Sequence, residues 1–478
     1  MTQDYIKRLE ESREELIQTL RESVQINSVG GEAVTEPDGT VLPFGRGVEA
    51  AFQHMLGVGR AMGFETFDAH HYGGHIEWKV PGAVETFGIA AHLDVVPEGT
   101  GWTHGPFDAE IEDGRMYGRG TADDKGPLVA ALYAVKAIKD AGLTPNKNIR
   151  LILGLDEETG MAGIDEYFAE MGMPDLGFTP DAAFPMINGE KGIMVFELAQ
   201  KLNRRTGKET LSLRKLNGGT AYNAVPGTAK AVLVASDPFY YSNIKDRAAA
   251  YASETGYKLS AKRFGSSLCI EATGKAAHGA YPQNGLNAVS ILMGFLGTLH
   301  FDAEDVNDFI AFYNDHIGFE YHGESIGCGL EDEPSGKLIF NVGVAEINDD
   351  LATVTVNIRY PVTCTGEDVY NGINAVLADT DIGLVKARDA GPIYMDLSDP
   401  FAASLLASYV EETGDTETKP IVMGGGTYAK KFRRMLAFGA MFPGDEDRMH
   451  QADEYISLDR LMQTARIYAH AIYKNCCE

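Results

Sequence analysis

The chain has 478 residues, 44% of them hydrophobic and 23% charged, an ordinary globular composition that excludes a disordered or fibrous polypeptide. At about 150 residues per domain it predicts two or three domains, with ample length for a full core. Its 41 basic and 69 acidic residues leave a net charge of −28, so nucleic acid and anionic membrane surfaces are not expected partners.

The first residues lack the apolar core of a signal peptide, and no uncharged apolar run of 18 residues occurs anywhere; a soluble protein is expected. Five cysteines without regular spacing, Cys269, Cys328, Cys364, Cys476 and Cys477, predict reduced thiols and a cytoplasmic location.

Ile6, Leu9, Leu16, Leu20 and Val24 recur at helical spacing, so one amphipathic helix is predicted over 4–25. Gly57-Val58-Gly59-Arg60-Ala61-Met62-Gly63 misses the dinucleotide fingerprint by one residue and ends a predicted helix, which makes it a helix C-cap. Apolar runs at 86–96 and 149–155 read as buried strands, and 127–141 as a helix with Pro127 at its first position. Strands alternating with helices predict an α/β fold whose mainly parallel sheet is flanked by helices.

Chemistry concentrates at the ends of these elements. His92-Leu93-Asp94 closes the first strand, where α/β folds place ligands. One residue is then available to bind a metal and the other to orient it. The same spacing recurs at His300-Phe301-Asp302, at the end of a predicted helix, so the motif needs its context. That context is Gly118-Arg119-Gly120-Thr121-Ala122-Asp123-Asp124, then Asp156-Glu157-Glu158, then Pro180-Asp181. Acids gathered at one end of a sheet repel each other unless cations neutralise them; solvated acidic loops are the plain alternative.

Residues 190–385 change texture, with an alternating strand at 351–360 and an amphipathic helix at 286–299, a pattern that predicts an α+β module with an antiparallel sheet. After 400 come helix, the turn Gly424-Gly425-Gly426, His450 as a candidate second imidazole, and a last helix over 458–473. Two histidines with several carboxylates suit borderline divalent ions, Zn²⁺, Mn²⁺ or Co²⁺, better than Ca²⁺.

These ordered motifs resemble the co-catalytic zinc peptidases that include aminoacylases, carnosinases and glutamate carboxypeptidases. Four further segments narrow the resemblance to bacterial Xaa dipeptidases of the PepV type: Asn217-Gly218-Gly219 through Asn223-Ala224-Val225-Pro226, Gly274–Gly279 around His278, Asn357-Ile358-Arg359-Tyr360-Pro361, and Gly424-Gly425-Gly426-Thr427-Tyr428-Ala429. It covers nearly the whole chain in order.

The resemblance implies two metal ions, Zn²⁺ first and Mn²⁺ or Co²⁺ as alternatives. Asp123 would bridge them, His92 and Asp181 would complete one site, and Glu158 and His450 the other. Asp94 would hold the His92 ring, and Glu157 would be the general base. His278 and Asn223 would donate to the oxyanion, reaching across a cleft, while Arg359 would hold the substrate carboxylate with backbone N–H groups of the Gly424 to Thr427 turn, Gly425 and Thr427 among them. It further implies a cis peptide between Asp123 and Asp124, a discontinuous catalytic domain (1–190 and 385–478), an inserted lid (191–384), a dipeptide substrate and a monomer. Where PepV-type relatives continue the glycine turn with Tyr-Ala-Arg, this chain has Tyr428-Ala429-Lys430, which leaves substrate range open. N-acyl amino acid deacylation or desuccinylation is the nearest alternative activity. A serine hydrolase built on Gly323-Glu324-Ser325-Ile326-Gly327 is a remote one, because Ser325 is followed by a predicted loop where a nucleophile elbow needs a helix.

Overall fold

A computed structural model describes residues 2–203 and 210–478. The chain forms two compact units, Met1–Gly189 with Met395–Ile421 and Gly426–Glu478, and Glu190–Tyr394 with Val422–Gly425.

The first unit is built on a sheet whose centre is parallel. Met435–Ala437, Leu176–Thr179, Thr86–His92 and Asn148–Gly154 run side by side. Gly74–Trp78 and Glu65–Asp68 extend one side antiparallel, and Ile187 pairs antiparallel with Ala437 at the other. Helices cover both faces: adjacent strand residues point to opposite sides, Ile76 packs on Gly59 of helix Arg46–Ala61, and His75 Nδ1 bonds Tyr167 Oη of helix Ala162–Met171 at 2.8 Å.

Several element bounds differ from expectation for local reasons. The helix predicted over 4–25 is two, Thr2–Glu11 and Arg13–Val24, because Ser12 Oγ donates back to the Arg8 carbonyl at 3.1 Å and interrupts the ladder. Both pieces still bury Leu9, Leu16, Leu20 and Val24. The strand predicted over 86–96 leaves the sheet after His92; Leu93 N–H bonds the Gly154 carbonyl and Val95 N–H the Ser28 carbonyl. The helix expected to open at Pro127 opens at Lys125, since Pro is tolerated anywhere in a first turn whose N–H groups have no intrahelical acceptor. Gly57 and Gly59 lie inside helix Arg46–Ala61, and Gly63, with φ +74°, follows its end.

The second unit carries an eight-stranded sheet with every pairing antiparallel. Its order is Lys258–Phe264, Ser267–Thr273, Thr228–Ala235, Leu211–Gly218, Ile339–Ile347, Leu351–Tyr360, Gly192–Lys201, Gly383–Ala390. Helices Ala288–Leu296 and Glu304–His316 share its hydrophobic core with the buried strand residues Phe196, Leu198, Val354, Val356 and Ile358. The helix expected over 286–299 is shorter because Asn287 caps it, accepting from Val289 N–H at 2.9 Å. All five cysteines are free thiols, and no helix among the described residues is long and apolar enough to cross a membrane.

Candidate metal centre

In the first unit, five expected ligand residues converge at the ends of parallel strands. His92, the last residue of Thr86–His92, is fully buried. Its Nδ1 lies 2.9 Å from the backbone carbonyl of Asp94 and donates to it, leaving the Nε2 lone pair free to bind. Nε2 lies 2.9 Å from Asp123 Oδ1 and 3.9 Å from Asp181 Oδ2. On the other side, His450 Nε2 lies 3.0 Å from both Asp123 Oδ2 and Glu158 Oε1. The ligating atoms therefore fall into two groups, His92, Asp123 and Asp181, and Asp123, Glu158 and His450, each within 4.8 Å. Asp123 belongs to both, with one carboxylate oxygen turned to each imidazole.

Asp94 is more than a support for His92. Its Oδ1 accepts from Glu157 N–H and its Oδ2 from Glu158 N–H, each at 3.1 Å. It thereby fixes the turn after strand Asn148–Gly154 and leaves both glutamate side chains to the site. Asp156 is used structurally, its carboxylate accepting from Ala162 N–H at 2.7 Å and Gly163 N–H at 3.1 Å at the start of a helix. Asp181 is placed by the parallel pairing of Ala182–Ala183 with Ala440–Met441. The peptides Asp123–Asp124, Phe184–Pro185 and Gly439–Ala440 are cis; the first was expected, the last was not.

The electrostatics are those of a cation-binding pocket. Burial, with Asp181 and Glu158 adding negative charge, holds the Glu157 carboxyl well above its ordinary pKa. Hydrogen bonds to Asp123 and Glu158 push His450 up to about 10, as carboxylates crowded around an imidazole must. Two imidazoles with a shared carboxylate and one further carboxylate on each side fit divalent ions of borderline softness. A third group, Glu49, Asp68 and His71, is satisfied internally: His71 Nδ1 bonds Glu49 at 2.9 Å, and Asp68 accepts from His71 N–H at 2.7 Å and from Gln53 at 3.0 Å.

The second unit brings its expected residues together separately. Ala224–Val225 pairs antiparallel with Ala277–His278, and Gly279 N–H donates to the Asn223 carbonyl at 2.7 Å. Ala280 N–H donates to His278 Nδ1 at 3.1 Å, so Nε2 carries the proton of the neutral ring. Burial and the charge of Arg359 both lower the His278 pKa. Arg359 is 7% exposed, and its Nε and Nη1 have no hydrogen-bond partner. Orphaned donors on a buried guanidinium are of the kind an anion could satisfy. Gly424 lies beside it, where an added Cβ would sit 3.9 Å from Arg359 Cγ. Gly425 adjoins Met423, whereas Thr427 belongs to the first unit and uses its hydroxyl to cap Tyr428–Lys431, accepting from Ala429 N–H at 3.1 Å.

The elbow reading of Ser325 fails: Ser325 N–H and Oγ both bond Glu320, in a turn flanked by no helix on its C-terminal side. The residues that sequence reasoning passed over are buried supports. Asn341 Nδ2 donates to the carbonyls of Tyr222 and Ala224, holding the Asn223 segment. Lys125 Nζ donates to the carbonyls of Ser23 and Ile26, both at 2.9 Å. Their signal was faint, being only polar residues next to motif positions.

Residues 88–474 match the family described as peptidase family M20/M25/M40. The chain is 35% identical over 464 residues to "Putative dipeptidase YtjP" of Bacillus subtilis, covering 97% of each. It is also 35% identical over 471 residues to a "Putative dipeptidase" of Staphylococcus epidermidis, covering 98% of each. Among solved structures its fold is similar to aminoacylhistidine dipeptidase from Vibrio alginolyticus, with TM-score 0.57 and 17% identity over 97% of this chain and 96% of that one. Human carnosine dipeptidase 1 gives TM-score 0.52 and 17% identity over 98% of each.

Proposed function

The chain belongs to peptidase family M20/M25/M40 and is a metal-dependent peptide hydrolase, and from that premise we propose that it cleaves dipeptides with a free amino terminus at a centre holding two divalent ions. The observation that carries this reading is the sharing of Asp123 between two three-residue donor groups. His92 and Asp181 complete one site, Glu158 and His450 the other, and Zn²⁺, Mn²⁺ or Co²⁺ suits both. When bound, such a pair supplies Lewis-acid polarisation of the scissile carbonyl and a more acidic water.

The residues of the chain do the rest. Glu157, whose raised pKa suits proton uptake, takes the proton of the attacking water on its carboxylate and delivers it to the departing amine. Asp94 keeps the backbone N–H groups of Glu157 and Glu158 fixed, so the base moves no further than its side-chain torsions allow. His278 would donate through Nε2–H to the developing oxyanion, with Asn223, next to the strand pair that holds His278, assisting. Arg359 receives the substrate carboxylate, which satisfies its orphaned donors. Backbone groups of Gly425 and Thr427 assist in that role. N-acyl amino acid deacylation on the same scaffold is the alternative; the relatives named as dipeptidases favour the peptide substrate.

Glu157→Ala tests the assignment. The variant is expected to retain both metal equivalents while kcat falls by about two to four orders of magnitude. Loss of metal from the folded variant would contradict a base and indicate a ligand.

A further inference from the structure

One fully buried carboxylate near the metal centre has no part in the mechanism above. Glu454 is 0% exposed and Arg119 1%, and they form an ion pair at 2.6 Å. Glu454 Oε1 accepts from Gly120 N–H at 3.0 Å, Ala122 N–H at 2.9 Å and Asp123 N–H at 3.3 Å. Its backbone carbonyl also accepts from Gly118 N–H at 2.9 Å. The whole loop that presents Asp123 is thus wrapped around a single residue.

Three ligand-bearing segments meet at this pair. Glu454 lies four residues after His450, and Tyr455 continues into an antiparallel pairing with Tyr117 that anchors this segment beside the loop. Arg119 carries the link onward: its Nη2 donates to the Glu98 carbonyl at 3.3 Å, in the stretch that follows His92 and Asp94. A buried charge pair is expensive in desolvation and is weak support for stability on its own. Here its hydrogen bonds converge on the loop of the one carboxylate common to both donor groups.

We propose that Glu454, acting through Arg119 and the backbone of Gly120–Asp123, is a positioning residue that sets Asp123 against His450 and thereby tunes the affinity of the centre for its second metal ion. The proposal rests on the two-metal reading. Groups that orient metal ligands from behind commonly alter metal affinity 10–100-fold when removed.

The test is Glu454→Gln, which keeps the shape but turns an amide donor towards either Arg119 or the backbone N–H groups, with Arg119→Lys as a milder second variant. Metal-free protein is titrated with Zn²⁺ against a chromophoric chelator, and the melting temperature of the metal-free form is measured alongside. Wild-type protein is expected to take up about two equivalents. The variants are expected to melt within a few degrees of wild type yet bind the weaker equivalent about 10–100-fold less tightly, with kcat reduced more than KM is raised. Unchanged affinity in the folded variants would overturn the proposal while leaving the two-metal reading intact. Failure of both variants to fold would also overturn it, making the pair a folding element. A wild-type chain that binds no Zn²⁺ would remove the two-metal reading itself, and the proposal with it.

Discussion

At the scale of single residues the site depends on how polar atoms are paired or left unpaired. Arg359 is the extreme case, since a buried guanidinium whose Nε and Nη1 lack partners costs stability in the free protein, a cost the proposed substrate carboxylate would offset. Arg359→Met is therefore expected to raise KM for a free dipeptide about a hundredfold, while thermal stability stays level or rises. A fall in stability with unchanged KM, measured by kinetics and calorimetry, would show a structural arginine. His278 makes a pH prediction of definite sign. Its folded pKa lies below the ordinary 6.5, through burial first and Arg359 second. As pH falls through 6.5 the unfolded chain binds its proton before the folded one does, so His278 subtracts stability on acidification and adds none above 6.5. Long-range nitrogen NMR of the neutral ring should find its proton on Nε2, as the Ala280 N–H bond to Nδ1 requires; a proton on Nδ1 instead would contradict the donor role given to it.

Elements place these residues, and here the sequence was informative in unequal measure. The strand Leu351–Tyr360 was legible from its alternation. The alternation concerned only Val354, Val356 and Ile358; that Asn357 and Arg359 on the opposite face are buried too follows from neighbouring strands, which no local pattern records. His92 could be placed at a strand end from the apolar run before it, but that run continues to Val96, so the point of departure was hidden. The break at Ser12 was hidden too, because the apolar spacing passes through it undisturbed. Helix Arg46–Ala61 illustrates packing invisible in sequence: a Cβ on Gly59 would sit 2.7 Å from Ile76 Cγ1. Gly59→Ala gains about 1 kcal/mol of helix propensity but overpacks the interface by about 1–3 kcal/mol. Net destabilisation is expected, and combining Gly59→Ala with Ile76→Ala, which removes the clashing γ carbons, should cost less than the sum of the two single losses in chemical denaturation. Additive losses in the double variant would show that the two residues do not meet as described.

For the whole molecule, the proposed ligands span residues 92 to 450, so their two donor groups are assembled only in the folded chain. Metal binding is then part of folding stability. Removing metal held at about 100 times its Kd withdraws about 2.7 kcal/mol per site, and chelation is expected to lower the melting temperature by about 5 °C or more, restored by Zn²⁺. The residues of the two candidate donor groups were legible because acids at successive strand ends form ordered motifs, and that order is what the resemblance rested on. Glu454 was not legible, since nothing in Asp453-Glu454-Tyr455 distinguishes a buried carboxylate tied to three backbone N–H groups from another acid in an acidic chain. The most direct measurement takes metal-free protein, adds Zn²⁺ or Mn²⁺ stepwise, and follows cleavage of a free dipeptide beside its N-acetylated counterpart. Activity that rises to a plateau at about two equivalents, on the free dipeptide alone, is the predicted result; cleavage of only the acetylated compound, or activity indifferent to metal, would contradict a dinuclear dipeptidase.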